Sequence, residues 1–143
     1  MTKFLIASHG HLASGILSTL NIIVGNVKDV ICIDAYTDGV DLIQQFNQFT
    51  KTVSKDETAI VFTDLKGGSV NREIFNIVNK NKLNNIKIIT GFNIALILTL
   101  VLQKENLNEE IIKSEIENAK KQMELLEYSN VDESIDTKKD FLN

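Results

Sequence analysis

The chain has no proline and no tryptophan, one cysteine and two histidines among 143 residues. The lone thiol, Cys32, cannot close an internal disulfide, which fits a reducing, cytoplasmic setting. Lysine and arginine form no cluster and the formal net charge is −4. That balance argues against a nucleic-acid partner, because a phosphate backbone demands a positive footprint. The longest apolar run, Ile94–Leu102, is interrupted by Thr99, and it falls well short of the roughly 20 residues a bilayer span needs. Residues 1–8 hold a short apolar run without a signal-peptide cleavage pattern.

What is present is an alternation of short strand-like and helix-like segments, the pattern of an α/β domain. The length suits one domain. Lys3–Ala7, Val30–Ala35, Thr58–Thr63 and Ile86–Thr90 read as strands. Helices between them are marked by Leu12, Ile16, Leu20 and Ile23 with Gly25 as a stop, by Leu42, Ile43, Phe46, Phe49 and Val53, and by Val70, Ile74, Ile77 and Val78. An apolar helix runs to Leu102. A more charged one follows Asn108, with Ile112, Ile116, Ala119, Met123 and Leu126 at helical spacing. The expected fold is a single doubly wound domain over residues 1–128, with a central, mostly parallel four-stranded sheet flanked by helices and a C-terminal helix. Residues 129–143 read as a polar tail.

In such a sheet, ligands bind beyond the carboxyl ends of the strands. Strand one ends in Ser8-His9-Gly10-His11, strand two near Asp34 and Thr37, strand three in Thr63-Asp64 and then Gly67-Gly68-Ser69, and strand four in Thr90-Gly91 before Asn93. If strands one and three are neighbours, His9 faces Asp64. A carboxylate on one ring nitrogen fixes the tautomer and frees the other nitrogen as a nucleophile. Backbone N–H groups at Gly67-Gly68, where a helix begins, favour an anion, and Ser69 adds a hydroxyl. Gly10 gives similar freedom beside His9. Taken singly, a strand-end histidine is an edge residue and a Gly-Gly-Ser a turn. Together at one edge they suggest a phosphohistidine intermediate. His9 and His11 could form half a metal site, but Asp64 is the only partner in sight, so no metal is expected. Cys32 reads as core, and Asp34 as a minor candidate for the crevice wall.

The SHG of Ser8–Gly10, the DLKGGS of Asp64–Ser69 and the GFN of Gly91–Asn93 stand in this order within about the first hundred residues. This pattern resembles the IIA component of the mannose/fructose/sorbose family of bacterial phosphoenolpyruvate-dependent sugar phosphotransferase systems. The resemblance implies a cytoplasmic homodimer without cofactor. His9 would take a phosphoryl group from the phosphocarrier HPr and pass it to the IIB component, which phosphorylates the sugar; the membrane IIC and IID components are reached only indirectly. Asp64 would be the orienting carboxylate, with Gly10, Gly67, Gly68 and Ser69 holding phosphoryl oxygens. Ser8, His11 and Asn93 are candidates for the site wall.

Val70 and Ala95 stand where the family commonly has prolines, and Leu65-Lys66 where it often has an aromatic. Some members exchange a C-terminal strand, a character that residues 129–143 show little of. Three alternatives stand beside this reading. One is the phosphoryl-donor subunit of a dihydroxyacetone kinase, another a regulatory phosphohistidine module. The third is a flavodoxin-like nucleotide or flavin domain, disfavoured by the missing glycine-rich loop after strand one and by only two tyrosines, Tyr36 and Tyr128.

Overall fold

A strand buried on both faces needs a layer on each side. β1 (Thr2–His9) is such a strand, with Phe4, Leu5, Ile6 and Ala7 fully buried. The computed structural model, which describes residues 1–128, meets that need with three layers. β2 (Val30–Ala35), β3 (Thr58–Thr63) and β4 (Ile86–Thr90) join β1 in one sheet of order β2-β1-β3-β4. The three pairings are all parallel, so the expected doubly wound architecture is the observed one.

Successive strand side chains point to opposite faces. Phe4 and Ile6 share one core with Ala13, Ile16 and Leu20 of α1 (Leu12–Val24), Ile97 and Leu100 of α4 (Ile94–Leu102), and Ile112 of α5 (Glu109–Lys120). Leu5 and Ala7 share the other with Phe46 and Phe49 of α2 (Leu42–Lys51) and Val70 and Ile74 of α3 (Ser69–Lys80). Each large apolar side chain buried this way contributes about 1.5–3 kcal/mol. Packing of this kind, more than helix propensity, holds the helices to the sheet. Cys32, partly buried, packs against the first core as expected.

Without proline, helix entry falls to side-chain caps. Asp41 accepts from Gln44 N–H, Asn93 from Leu96 N–H and Asn108 from Ile111 N–H. Gly25 closes α1 at a φ of 84°. Some expected helix faces are narrower than the sequence pattern suggested. Leu12 and Ile23 are exposed, because each lies roughly a quarter turn off the line through Ala13 and Leu20. Ile43 is exposed as well, and Val53 lies past the end of α2. α5 stops at Lys120, leaving Met123 and Leu126 outside it and exposed. The last turn tightens there, with Lys121 N–H bonded to Asn118 O and Gln122 N–H to Ala119 O. The tail at 129–143 lies outside the described residues.

Strand order decides where a ligand can sit. From β1 the chain goes outward to β2, then returns to lay β3 on β1's other side. The crevice at that reversal opens between the carboxyl ends of β1 and β3, and the residues there are His9 and Asp64.

Candidate functional site

His9 is the last residue of β1, and Asp64 is the first beyond β3. One carboxylate oxygen, Asp64 Oδ2, accepts from both His9 N–H and His9 Nδ1–H, each at 2.8 Å. The other, Oδ1, accepts from Leu65 N–H at 3.0 Å. A carboxylate can only accept, so the ring proton sits on Nδ1 and Nε2 keeps its lone pair. Nε2 lies 3.1 Å from Ser69 Oγ, whose hydroxyl then donates to the ring. The His9 side chain is 41% exposed and that of Asp64 8%, so the covered carboxylate presents an open imidazole. Burial pushes the Asp64 carboxyl up. The backbone and ring hydrogen bonds from His9, the His9 charge and Leu65 N–H outweigh burial and hold it below the ordinary carboxylate range.

Ser69 opens α3, and the residue before it, Gly68, has no side chain to cap the helix. Gly67 N–H donates to Asn71 Oδ1, Gly68 N–H to Leu65 O and Gly10 N–H to Ala35 O. These N–H groups are engaged within the chain rather than free. The glycines shape the loops. Gly67 turns the chain at a φ of 75°. A Cβ at Gly68 would lie 3.2 Å from Leu65 O and 3.6 Å from His9 Cε1. The donors that remain are those of the first turn of α3, with the positive end of the helix dipole behind them.

The second histidine has a carboxylate of its own. His11 Nδ1 lies 3.0 Å from Asp34 Oδ2, and Asp34 Oδ1 accepts from Ser14 N–H at 3.0 Å. Burial raises the Asp34 carboxyl, but the bonds from Ser14 and His11 outweigh it and hold it low. The two imidazoles are thus oriented alike and differ in what stands beside them. At α1 two of the first-turn donors are already satisfied, Ser14 N–H by Asp34 and Ala13 N–H by the buried Ser8 Oγ at 2.8 Å. Protein groups fill the place that an anion takes at an open helix start. Ser8 therefore caps α1. Asn93 likewise has a structural task, donating to Ala119 O at 2.8 Å while capping α4, which ties α4 to α5.

Sequence reasoning missed one neighbour. Tyr36, just beyond β2, donates its hydroxyl to Ser69 Oγ at 2.8 Å, and its ring centroid lies 5.3 Å from that of His9. The only signal for it in the sequence is its position at the carboxyl edge of the strand beside β1. Among the described residues, no three His, Cys, Asp or Glu side chains gather as metal ligands would.

The arrangement can present a nucleophilic imidazole nitrogen to an electrophile and hold an anion next to it. The family model EIIA-man, described as PTS system fructose IIA component, matches residues 3–119. The PTS IIA protein associated with the fucose utilization operon from Streptococcus pneumoniae is 30% identical, with a TM-score of 0.70 over 87% of this chain and 92% of that one. A protein assigned as a phosphoenolpyruvate-dependent sugar phosphotransferase system permease from Klebsiella pneumoniae subsp. pneumoniae is 29% identical, with a TM-score of 0.76 over 87% and 90%. The mannose/sorbose specific IIA subunit from Enterococcus faecalis, 17% identical with a TM-score of 0.71 over 88% and 95%, shares the fold. No protein of curated function matches the chain. No helix of the described residues is long and apolar enough to cross a membrane.

Proposed function

The chain belongs to the EIIA family of mannose/fructose type, phosphoryl-transfer components of sugar phosphotransferase systems that work through a phosphohistidine, and we propose that the histidine is His9. The observation that carries this choice is the contrast between the two imidazoles. Both have Nδ1 on a carboxylate, but only His9 has its Nε2 beside an uncapped helix start and a serine hydroxyl. Beside His11, Asp34 fills the equivalent space.

In the transfer, His9 Nε2 attacks the phosphorus of an incoming phosphohistidine. A new N–P bond forms as the donor's N–P bond breaks, and that electron pair returns to the donor imidazole. The His9 ring becomes cationic with its proton still on Nδ1, where Asp64 stabilises the charge. Ser69 Oγ leaves Nε2 and donates to a phosphoryl oxygen, beside the first-turn N–H groups of α3. Positioning and electrostatics suffice for such a step, and these residues supply both.

The donor in this reading is phospho-HPr and the acceptor a histidine of a IIB component, with the membrane components reached only through IIB and the chain acting in the cytoplasm as a homodimer. The test is intact mass after incubation with phosphoenolpyruvate, enzyme I and HPr. One acid-labile phosphoryl adduct is expected, absent in His9→Ala and largely retained in His11→Ala. The reverse pattern would overturn the assignment.

A further inference from the structure

Tyr36 is the first residue after β2, and it holds a φ of 64°. For an L-residue with a bulky side chain that conformation is strained, and such strain persists only where the surroundings determine it. Asp34 anchors the backbone just before it. Its carbonyl accepts from Thr37 Oγ1 at 2.7 Å, and its carboxylate is tied to His11 and to Ser14 N–H. The turn carries the phenol back over the carboxyl edge of the sheet, against the His9 ring and onto Ser69 Oγ. An exposed tyrosine with no task would need neither the strained backbone nor a hydroxyl 2.8 Å from the serine.

Ser69 Oγ lies 3.1 Å from Nε2, close to where an oxygen of a phosphoryl group bonded to that nitrogen would lie. Whatever donates to Ser69 Oγ at rest can donate to that oxygen once the phosphoryl group displaces the serine. On the strength of the His9 reading above, we propose that Tyr36 is a phosphoryl-binding residue, its hydroxyl donating directly to a phosphoryl oxygen of phosphorylated His9. The N–P bonds made and broken are those already described. Tyr36 keeps its proton throughout, turning its O–H from Ser69 Oγ to the phosphoryl oxygen. Its ring, lying against the imidazole, also covers one side of the phosphohistidine from water.

A double-mutant cycle between Tyr36→Phe and Ser69→Ala tests this, reading the rate of phosphoryl uptake from phospho-HPr by intact mass. Phenylalanine keeps the ring and removes only the hydroxyl. The expected result is an adduct still on His9, formed about ten- to a hundredfold more slowly, the effect of losing one hydrogen bond to a charged group. The same factor should appear when Tyr36→Phe is made in the Ser69→Ala background. No change in the single variant would overturn the proposal. So would a loss that vanishes without Ser69, because Tyr36 would then act only through the serine. In the wild-type protein, the NMR signal of the Tyr36 ring carbon that bears the hydroxyl should move on phosphorylation, and an unmoved signal would also count against it. Failure of the His9 reading looks different: no adduct on the wild type, or an adduct that survives His9→Ala.

Discussion

Asp64→Asn is the substitution that most directly probes the orientation of His9. The wild-type carboxylate accepts three bonds, two of them at Oδ2 from His9 N–H and Nδ1–H, with Leu65 N–H on Oδ1. An asparagine has one acceptor oxygen and one donor NH2 in the same space. With its oxygen toward His9, the NH2 opposes Leu65 N–H. Turned over, the NH2 opposes His9 N–H and donates to Nδ1, which moves the ring proton to Nε2 and removes the nucleophile. Each charge-assisted bond is worth about 1.5–3 kcal/mol. Losing the charge together with the tautomer should therefore cost the transfer step about 3–5 kcal/mol, or roughly 10²- to 10⁴-fold in rate. The upper end equals the effect of the same exchange in a serine protease triad, about 10⁴-fold. The assay is rapid-quench uptake of the phosphoryl group from phospho-HPr, with thermal denaturation beside it. A rate within about threefold of wild type would refute the reasoning, since two bonds from one residue to one oxygen would then be doing nothing for the ring. The fold should survive, with stability reduced by about 1–3 kcal/mol for the mismatched donors.

Acid should destabilise the protein through the same carboxylates. Asp64 and Asp34 are held below their ordinary values when folded, so their stabilisation is complete above about pH 4–5 and is lost as pH falls through the folded values. Urea titrations between pH 6 and 2 should show that limb, less steep in Asp64→Asn; a limb of unchanged slope would mean that Asp64 is not held low in the folded protein. Asn93→Ala removes the cap of α4 and its tie to Ala119. It should lower stability by about 1–2 kcal/mol in thermal denaturation while leaving phosphoryl uptake within about twofold, and a large loss of uptake would return Asn93 to the site. The His9→Ala and His11→Ala pair separates the two imidazoles by intact mass, as the different helix starts beside them require.

The sequence by itself determined the layered α/β architecture. Hydrophobic period is a local property, and the near-continuous apolar runs of β1 and β3 can be satisfied only between two layers. It also placed His9, Asp64 and Ser69 at the one edge where a parallel sheet leaves a crevice; that they meet there required β1 and β3 to be neighbours, which the strand order supplied. The tertiary structure decided what those residues do to one another. That Gly67 and Gly68 turn their N–H groups inward depends on the distance from Leu65 O and Asn71, which no period encodes. That Asp34 closes the start of α1, so that His11 lacks an anion site, depends on which side chain crosses from β2 to a helix twenty residues earlier. That Tyr36 reaches Ser69 depends on a single left-handed residue. Apolar burial follows composition summed along a segment, whereas a hydrogen bond is made or lost within a few tenths of an ångström. The chain's pattern therefore reveals the place of the chemistry, and only the folded geometry assigns the donors and acceptors within it.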